Sequence, residues 1–239
     1  MEISTKRKVG GIVVENFRTA KVFTAHGIDF CCNGGISLEE ACEKNSVDME
    51  TLLIELDQVT QMQDSTNYSS LDLSQLIDHI LNHHHRYVEN TIPALKIYLD
   101  KLEKVHGEKH PELSEIRKEF YSAANALTAH MKKEELVLFP YVKAMEDSKA
   151  KGFPLSKPHF GHIDHPIQMM ESEHETEGDR FKNISALSNG YTPPADGCQT
   201  YKVTFALLEE FELDLHTHIH LENNILFPKA KVLFQHINS

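Results

Sequence analysis

The sequence contains few cysteines and no long apolar run, and each shortage excludes a class of protein. Its four cysteines, at positions 31, 32, 42 and 198, do not form the framework of a disulfide-rich secreted domain, so a reducing compartment is expected. No apolar stretch reaches the ~18–20 residues that a membrane span requires. The basic residues 1–10 are not followed by the apolar segment of a secretory signal. We therefore expect a cytoplasmic protein without a membrane partner.

Positive charge is also scarce, whereas histidine is abundant. The 239 residues include 24 lysines and arginines against 36 aspartates and glutamates, giving a formal net charge of −12. This balance disfavours nucleic acid and anionic membrane surfaces as partners. Tryptophan is absent, but there are 16 histidines. So many imidazoles raise a metal-binding hypothesis, which only their spacing can decide.

The first part of the chain predicts a short helical domain. An apolar pattern over 12–25 predicts one helix that ends at His26-Gly27. After a turn, Ser37 and Glu40 fit a capping box at the start of a second helix. Asp48 is the predicted N-cap of a third helix.

The rest of the chain predicts a helix bundle. A polar segment without periodicity, 64–70, precedes four long helical patterns. These patterns cover residues 71–104, 111–147, 160–187 and 199–236. Four long helices with connecting loops are typical of a bundle. We therefore predict an all-α fold, with a helical domain over 1–62, a linker over 63–72 and a four-helix bundle over 73–239.

A repeated motif places a histidine and a glutamate at core positions of the second and fourth bundle helices. His130 with Glu134, and again His218 with Glu222, fit the pattern H-x3-E-x4-F-P within apolar stripes. The i,i+4 spacing puts the imidazole and the carboxylate on one helix face. A lone histidine on such a stripe is usually an ordinary core residue. Buried glutamates without partners are costly, however, so the repeat favours metal ligands.

Each motif has a matching histidine upstream. His174 lies 44 residues before His218 and is followed by apolar residues at positions +7 and +10. In the run 83–85, His85 shares these offsets and lies 45 residues before His130, whereas the preceding histidine has threonine and alanine there. Each half of the bundle thus supplies one histidine and, 44 or 45 positions later, the H-x3-E pair. Ten of the other twelve histidines are expected at the surface or around the ligands, namely His79, His83, His84, His106, His110, His159, His162, His165, His216 and His220.

The predicted ligands suit a dinuclear centre. They are His85, His130, Glu134, His174, His218 and Glu222. Four imidazoles, two bridging carboxylates and an oxo or hydroxo bridge leave about one open position on each of two octahedral ions. Imidazole and carboxylate suit iron, although manganese and zinc accept the same ligands. We predict a non-haem di-iron site that keeps exchangeable positions.

With these motifs, the sequence resembles the hemerythrin-like di-iron proteins of the RIC (repair of iron centres) family over essentially its whole length. A second matching motif is the vicinal-cysteine segment 27–35, in which Asn33 stands where glycine is expected. The resemblance implies a hemerythrin-like bundle, two iron ions and repair of iron-sulfur clusters damaged by nitric oxide or peroxide. The implied partners are damaged or apo iron-sulfur proteins, with NO, O2 or peroxide as small ligands.

Cys31 and Cys32 have two interpretations. Adjacent cysteines form a disulfide only with strain, so a simple structural bridge is not expected. They are either small, partly buried turn residues or a redox pair that relays electrons, contacts a client cluster or links two subunits of a homodimer. The resemblance favours the redox pair.

Two mechanisms fit these predictions, namely donation of a labile iron and the binding and reduction of NO, so enzymatic turnover is left open. Three alternatives belong to other classes. One is an oxygen carrier, although hemerythrins use a more histidine-rich ligand set. Another is a ferroxidase or oxygenase, although ferritin-like sites use Glu-x-x-His. The third is an iron or NO sensor that signals through the N-terminal cysteines.

Overall fold

The computed structural model describes residues 4–60, 67–152 and 154–238, and these residues are mainly helical. Within them no strand forms, apart from an isolated antiparallel bridge between Lys8 and Ser37. The α-helices are α1 (Val9–Glu15), α2 (Thr19–Ala25), α3 (Leu38–Asn45), α4 (Met49–Thr60), α5 (Leu73–Ile80), α6 (Arg86–His106), α7 (Glu112–Lys133), α8 (Phe139–Lys151), α9 (Asp164–Leu187), α10 (Gln199–Leu221) and α11 (Phe227–Asn238). The all-α prediction is confirmed.

The predicted caps of the N-terminal helices are confirmed. At the start of α3, the Ser37 Oγ accepts a hydrogen bond from the Glu40 N–H at 3.2 Å, and Glu40 Oε2 accepts one from the Ser37 N–H at 2.8 Å. Asp48 Oδ2 accepts from the Thr51 N–H at 2.8 Å and caps α4. These reciprocal bonds satisfy amide groups that a helix start otherwise leaves without an acceptor.

The prediction of one helix over 12–25 is wrong, because the chain breaks at Asn16. This residue has extended backbone angles (φ −146°, ψ 102°) between α1 and α2. Its Oδ1 accepts from the Arg18 N–H at 3.1 Å, and its carbonyl accepts from the Thr19 hydroxyl at 2.7 Å. The short amide side chain thus offers the backbone an alternative to continued helix. Of the predicted linker 63–72, residues 63–66 lie outside the described part of the chain.

The chain divides into two compact units. The terminal unit consists of the described residues of Met1–Leu76 and His216–Ser239, and the central unit of those of Ile77–Leu215. In the terminal unit α1 packs on α2, and α2 packs on α4, around buried residues such as Ile12, Phe23 and Leu56. Of the described helices, none is long and apolar enough to cross a lipid bilayer.

The core of the central unit is aromatic. Helix α7 packs against both α6 and α9. The Phe211 ring lies at its centre, stacked on Phe181 and edge-on to Phe120, with both centroid distances at 5.5 Å. All three side chains are at most 1 % exposed. Aromatic pairs at such distances add to the free energy of apolar burial, so this core fixes the helices that carry the site.

Three π-helical segments interrupt the long helices, and the sequence patterns did not predict them. They are π1 (Leu81–His85), π2 (Glu134–Leu138) and π3 (Glu222–Leu226). In π2 and π3 the N–H of the following phenylalanine donates to the carbonyl five residues earlier. Pro140 and Pro228 come next and cannot donate in an α-helical ladder. The spacing shared by both halves of the repeat, H-x3-E-x4-F-P, therefore coincides with a widened turn that begins at the glutamate.

Candidate metal centre

Four of the predicted ligands lie together in the core of the central unit. His85 ends π1, His130 lies near the end of α7, Glu134 begins π2, and His174 lies in α9. Each is at most 3 % exposed. His85 Nε2 and His130 Nε2 lie 3.4 and 3.3 Å from the same oxygen, Glu134 Oε2. The Nε2 atoms of His130 and His174 are 3.0 Å apart, so all three rings aim Nε2 at one small region.

The opposite ring nitrogens of two of these histidines are held by carboxylates. His85 Nδ1 is 3.0 Å from Glu135 Oε1, and His130 Nδ1 is 2.8 Å from Glu173 Oε2. A carboxylate at Nδ1 favours the tautomer whose lone pair lies on Nε2, and it makes that nitrogen a better metal ligand. This is the arrangement that metal-binding histidines usually have.

Each of these two carboxylates also pairs with a lysine. Lys132 Nζ lies 2.6 Å from Glu135 Oε2, and Lys133 is paired with Glu173. Burial alone raises the pKa of both carboxyl groups, but hydrogen bonds from the lysines and from the histidines hold each pKa below its usual value. Both groups are therefore charged at neutral pH, and each forms a chain of lysine, carboxylate and imidazole.

The other two predicted ligands form a pair in the terminal unit. His218 Nε2 lies 3.0 Å from Glu222 Oε1, and the two residues are 1 % and 0 % exposed. Glu222 begins π3 as Glu134 begins π2. The structure thus gives the two halves of the sequence repeat the same local geometry, with an α-helical histidine facing a glutamate at the start of a π-helical turn. π-Helical turns occur frequently at functional sites.

The donor set of the central unit fits a metal ion. The ligand atoms of His130, Glu134 and His174 all lie within 4.8 Å of one another. A buried carboxylate is costly unless positive charge or hydrogen bonds compensate it, and a divalent cation among these donors would supply that charge. Imidazole and carboxylate are ligands that iron, manganese and zinc accept. We therefore regard the cluster as a candidate metal centre.

Cys31 and Cys32 lie in the turn after α2. Their sulfur atoms are 3.9 Å apart, and both cysteines are reduced. The hydrogen bond to Cys32 and the burial of its side chain raise the pKa of the Cys31 thiol well above its usual value, and nearby Asp29 adds to the shift. Cys31 is therefore a thiol at neutral pH. The redox role of the pair stays a prediction.

Two of the remaining histidines are fully packed, which the apolar stripes did not indicate. His84 Nδ1 contacts Asp214 Oδ1 at 2.9 Å, and burial lowers the pKa of His220 to about 4. The rings of Phe30 and Phe17 lie 5.6 and 6.1 Å from the His220 ring. The loop between α1 and α2 and the turn after α2 therefore cover His220, which the sequence pattern alone assigns to the surface or to the surroundings of the ligands.

The comparisons with known proteins agree with this geometry. A family model described as the hemerythrin HHE cation binding domain matches residues 76–230, and one described as a domain of unknown function (DUF542) matches residues 5–60. The iron-sulfur cluster repair protein YtfE of Yersinia pestis (strain Pestoides F) is 33 % identical over 225 residues, covering 94 % of this chain and 96 % of the relative. The iron-sulfur cluster repair protein YtfE of Yersinia pseudotuberculosis serotype IB (strain PB1/+) is 32 % identical over 225 residues, which again cover 94 % of this chain and 96 % of the relative. The chain belongs to the RIC family.

Membership of the RIC family confirms the predicted architecture, a short N-terminal helical domain followed by a hemerythrin-like four-helix bundle. The hemerythrin match covers all six predicted ligands, and the DUF542 match covers both vicinal cysteines. Two functional candidates of this RIC-family chain were missed from sequence, namely Glu135 and Glu173. Each directly adjoins a predicted ligand, which is the only signal that the sequence gives for them.

Proposed function

We propose that this protein repairs damaged iron-sulfur clusters by means of a di-iron centre. The observation that carries the proposal is the buried histidine–glutamate cluster, whose imidazoles are backed by charged carboxylates, in a chain with a hemerythrin cation-binding domain. The curated relatives are named iron-sulfur cluster repair proteins. The clients would be iron-sulfur proteins whose clusters are damaged or lost.

The proposed centre takes six protein ligands. The central unit supplies His85, His130, Glu134 and His174, and the repeat adds His218 and Glu222 as counterparts of His130 and Glu134. Two metal ions are proposed because the repeat doubles the ligand set, with each glutamate shared between the ions. No thiolate belongs to this set, and its imidazole and carboxylate ligands suit iron.

The iron ions and the residues around their ligands have separate roles in the proposal. Two iron ions would supply exchangeable coordination positions and a change of oxidation state. Glu135 and Glu173 keep the Nδ1 protons of His85 and His130, and so keep both Nε2 lone pairs available. The aromatic core around Phe211 fixes the helices that carry these residues. The protein would thereby hold the ligands in place without filling every coordination position of the iron ions.

Iron donation is the version of repair that we propose, with iron as the cargo that passes to the client. Reduction of NO at the same centre is the second version. A carrier or sensor of NO or O2 is the alternative function. These differ in measurable products, because donation lowers the iron content of the protein, NO reduction yields nitrous oxide, and a carrier releases its ligand unchanged.

The experiment measures repair and iron content together. Purified iron-loaded protein is mixed anaerobically with an iron-sulfur enzyme whose cluster has been destroyed by NO, and recovered enzyme activity and transferred iron are measured. Glu134→Gln, which keeps the shape of the side chain, should lose iron and slow recovery by at least about tenfold. Glu175→Gln changes an exposed glutamate on α9 and should behave like the unaltered protein.

Two results would contradict the proposal. One is an unaltered protein that contains no iron after growth with ample iron. The other is a Glu134→Gln variant that repairs the enzyme as fast as the unaltered protein. Reversible NO or O2 binding without any recovery of the client enzyme would favour the carrier or sensor instead.

A further inference from the structure

The turn after α2 gathers two thiols and a carboxylate that the proposed di-iron centre does not use. Cys31 Sγ lies 3.2 Å from Asp29 Oδ1 and 3.9 Å from Cys32 Sγ, and one ligand atom from each residue lies within 4.8 Å of the others. Cys31 is buried, whereas Asp29 and Cys32 are partly exposed. We propose that Asp29, Cys31 and Cys32 form a second metal site for one divalent transition-metal ion. That its natural ion is ferrous iron rests on the proposed function.

The distance between the sulfur atoms favours chelation over a disulfide. A disulfide bond holds its two sulfurs about 2.05 Å apart. A tetrahedral ion with metal–sulfur bonds of about 2.3 Å holds two thiolates about 3.8 Å apart. The observed 3.9 Å corresponds to the second geometry. The two side chains therefore need little movement to bind an ion, whereas forming the bond would require them to approach by almost half that distance.

The carboxylate of this site is held in place before any ion binds. Asp29 Oδ1 accepts hydrogen bonds from the N–H groups of Cys31 and Cys32 at 3.1 and 2.9 Å. Asp29 Oδ2 accepts one from the Asn33 side-chain amide at 2.9 Å. The side chain of Asn33, absent from the glycine expected at this position, thus helps to orient the carboxylate. A ligand fixed in this way loses little conformational freedom on binding.

The ion would replace protons. In the structure the Cys31 thiol donates towards Asp29 Oδ1 and lies against Cys32 Sγ, so one proton occupies the space between these atoms. On binding, the bonds of both thiols to hydrogen break, two metal–sulfur bonds form and two protons pass to water. The oxidation states of sulfur and metal do not change. A bound cation deprotonates a coordinating thiol even when its ordinary pKa is high.

The vicinal-cysteine turn contacts the helical segment that carries His218 and Glu222, two predicted ligands of the di-iron centre. The carbonyl of Cys31 accepts a hydrogen bond from Asn224 Nδ2 at 3.2 Å, and the Phe30 ring contacts the rings of His216 and His220. These three residues alternate along α10 and π3 with His218 and Glu222. The thiol site therefore stands on the same helical segment as those ligands. An ion held by three protein ligands keeps a fourth position for transfer.

The test uses Co²⁺, whose coordination preferences are close to those of Fe²⁺, added anaerobically to reduced, iron-loaded full-length protein. Thiolate ligation gives a sulfur-to-cobalt charge-transfer absorption that imidazole and carboxylate ligands cannot give. We expect this absorption to saturate at about one equivalent, with release of about two protons. Cys32→Ser should abolish it, and Asp29→Asn should weaken Co²⁺ binding by at least about tenfold. Cys198→Ser, which removes an exposed thiol elsewhere, should leave it unchanged.

The two proposals fail in different ways. His130→Ala should deplete the iron of the bundle but keep the charge-transfer absorption, whereas Cys32→Ser should keep the iron. The thiol site is overturned if reduced, unaltered protein shows no such absorption, if the absorption survives in folded Cys32→Ser, or if it disappears in Cys198→Ser. Circular dichroism of each variant verifies its helical fold.

Discussion

Replacing Glu173 by glutamine tests whether His130 is held as a metal ligand. The substitution keeps the size of the side chain but removes the negative charge that faces His130 Nδ1 at 2.8 Å. It also removes the partner of Lys133, in an ion pair whose two side chains are about one-third exposed. Such a partly exposed pair contributes at most ~1 kcal/mol to stability. The main effect is therefore expected on the imidazole and not on the fold.

The magnitude follows from the contact and its exposure. A hydrogen bond to a charged group contributes ~1.5–3 kcal/mol, and the 35 % exposure of the Glu173 side chain places this one at the low end, because water screens it. A loss of ~1.4 kcal/mol corresponds to a factor of ten in affinity. Loss of an outer carboxylate typically weakens metal binding by ~10–100-fold. We therefore expect about tenfold weaker iron binding, and at least as large an effect for Glu135→Gln, whose side chain is 21 % exposed.

The assay is competition for ferrous iron with a chelator of known affinity, carried out anaerobically, together with thermal unfolding of the metal-free protein. Glu175→Gln is the matched control, because this glutamate is exposed on the same helix as Glu173. Weaker iron binding with nearly unchanged unfolding supports the reasoning. Unchanged affinity in both outer-carboxylate variants would refute it, since the imidazoles would then not be tuned by these contacts.

Two further substitutions probe other parts of the chain. Gly10→Ala should destabilise the protein by ~1–3 kcal/mol in urea unfolding, because its Cβ would lie 2.6 Å from Asn224 Oδ1. Gly11→Ala is its control and should stabilise α1 by up to ~1 kcal/mol, because the nearest atom to its Cβ is 4.0 Å away. Hydrogen bonds from the Tyr201 backbone and from His106 lower the pKa of Cys198 to about 7, so its alkylation rate should rise with pH through a midpoint near 7. His106→Ala should move that midpoint upward, and an unchanged pH profile would contradict the assignment.

The apolar stripes predicted the fold because burial decides which residues a long helix can place in its core. The four predicted bundle helices lie where the structure has α5 to α11, and their ends differ by only a few residues. The same offsets distinguish neighbouring histidines. His85 lies against Glu134, whereas His84 turns to Asp214. The metal role of His85 stays a prediction, but its burial follows from the spacing of the apolar residues around it.

Other features depend on contacts that a single sequence does not encode in its periodicity. The break at Asn16 arises from side-chain hydrogen bonds to the local backbone, which compete with a helix that the apolar pattern favours. Glu135 and Glu173 resemble surface glutamates until the helices pack, because their partners lie 50 and 43 residues away along the chain. The π-helical turns were not predicted, because the first and last residues of each turn are four positions apart, the same spacing as in an ordinary helical stripe.

The two halves of the repeat differ in a way that their shared motif conceals. Leu136 in π2 corresponds to Asn224 in π3, and Lys132 corresponds to His220. Leu136 is 73 % exposed, whereas Asn224 contacts the backbone of Cys31 and His220 is fully buried. Around the first motif, Lys132 and Glu135 form a charged chain to His85. Around the second motif, His220 and Asn224 contact the vicinal-cysteine turn instead. Since the histidine and glutamate are the same in both halves, the difference lies in what surrounds them. Because of this asymmetry, the vicinal-cysteine turn contacts the helical segment of the second motif, through Asn224 and His220.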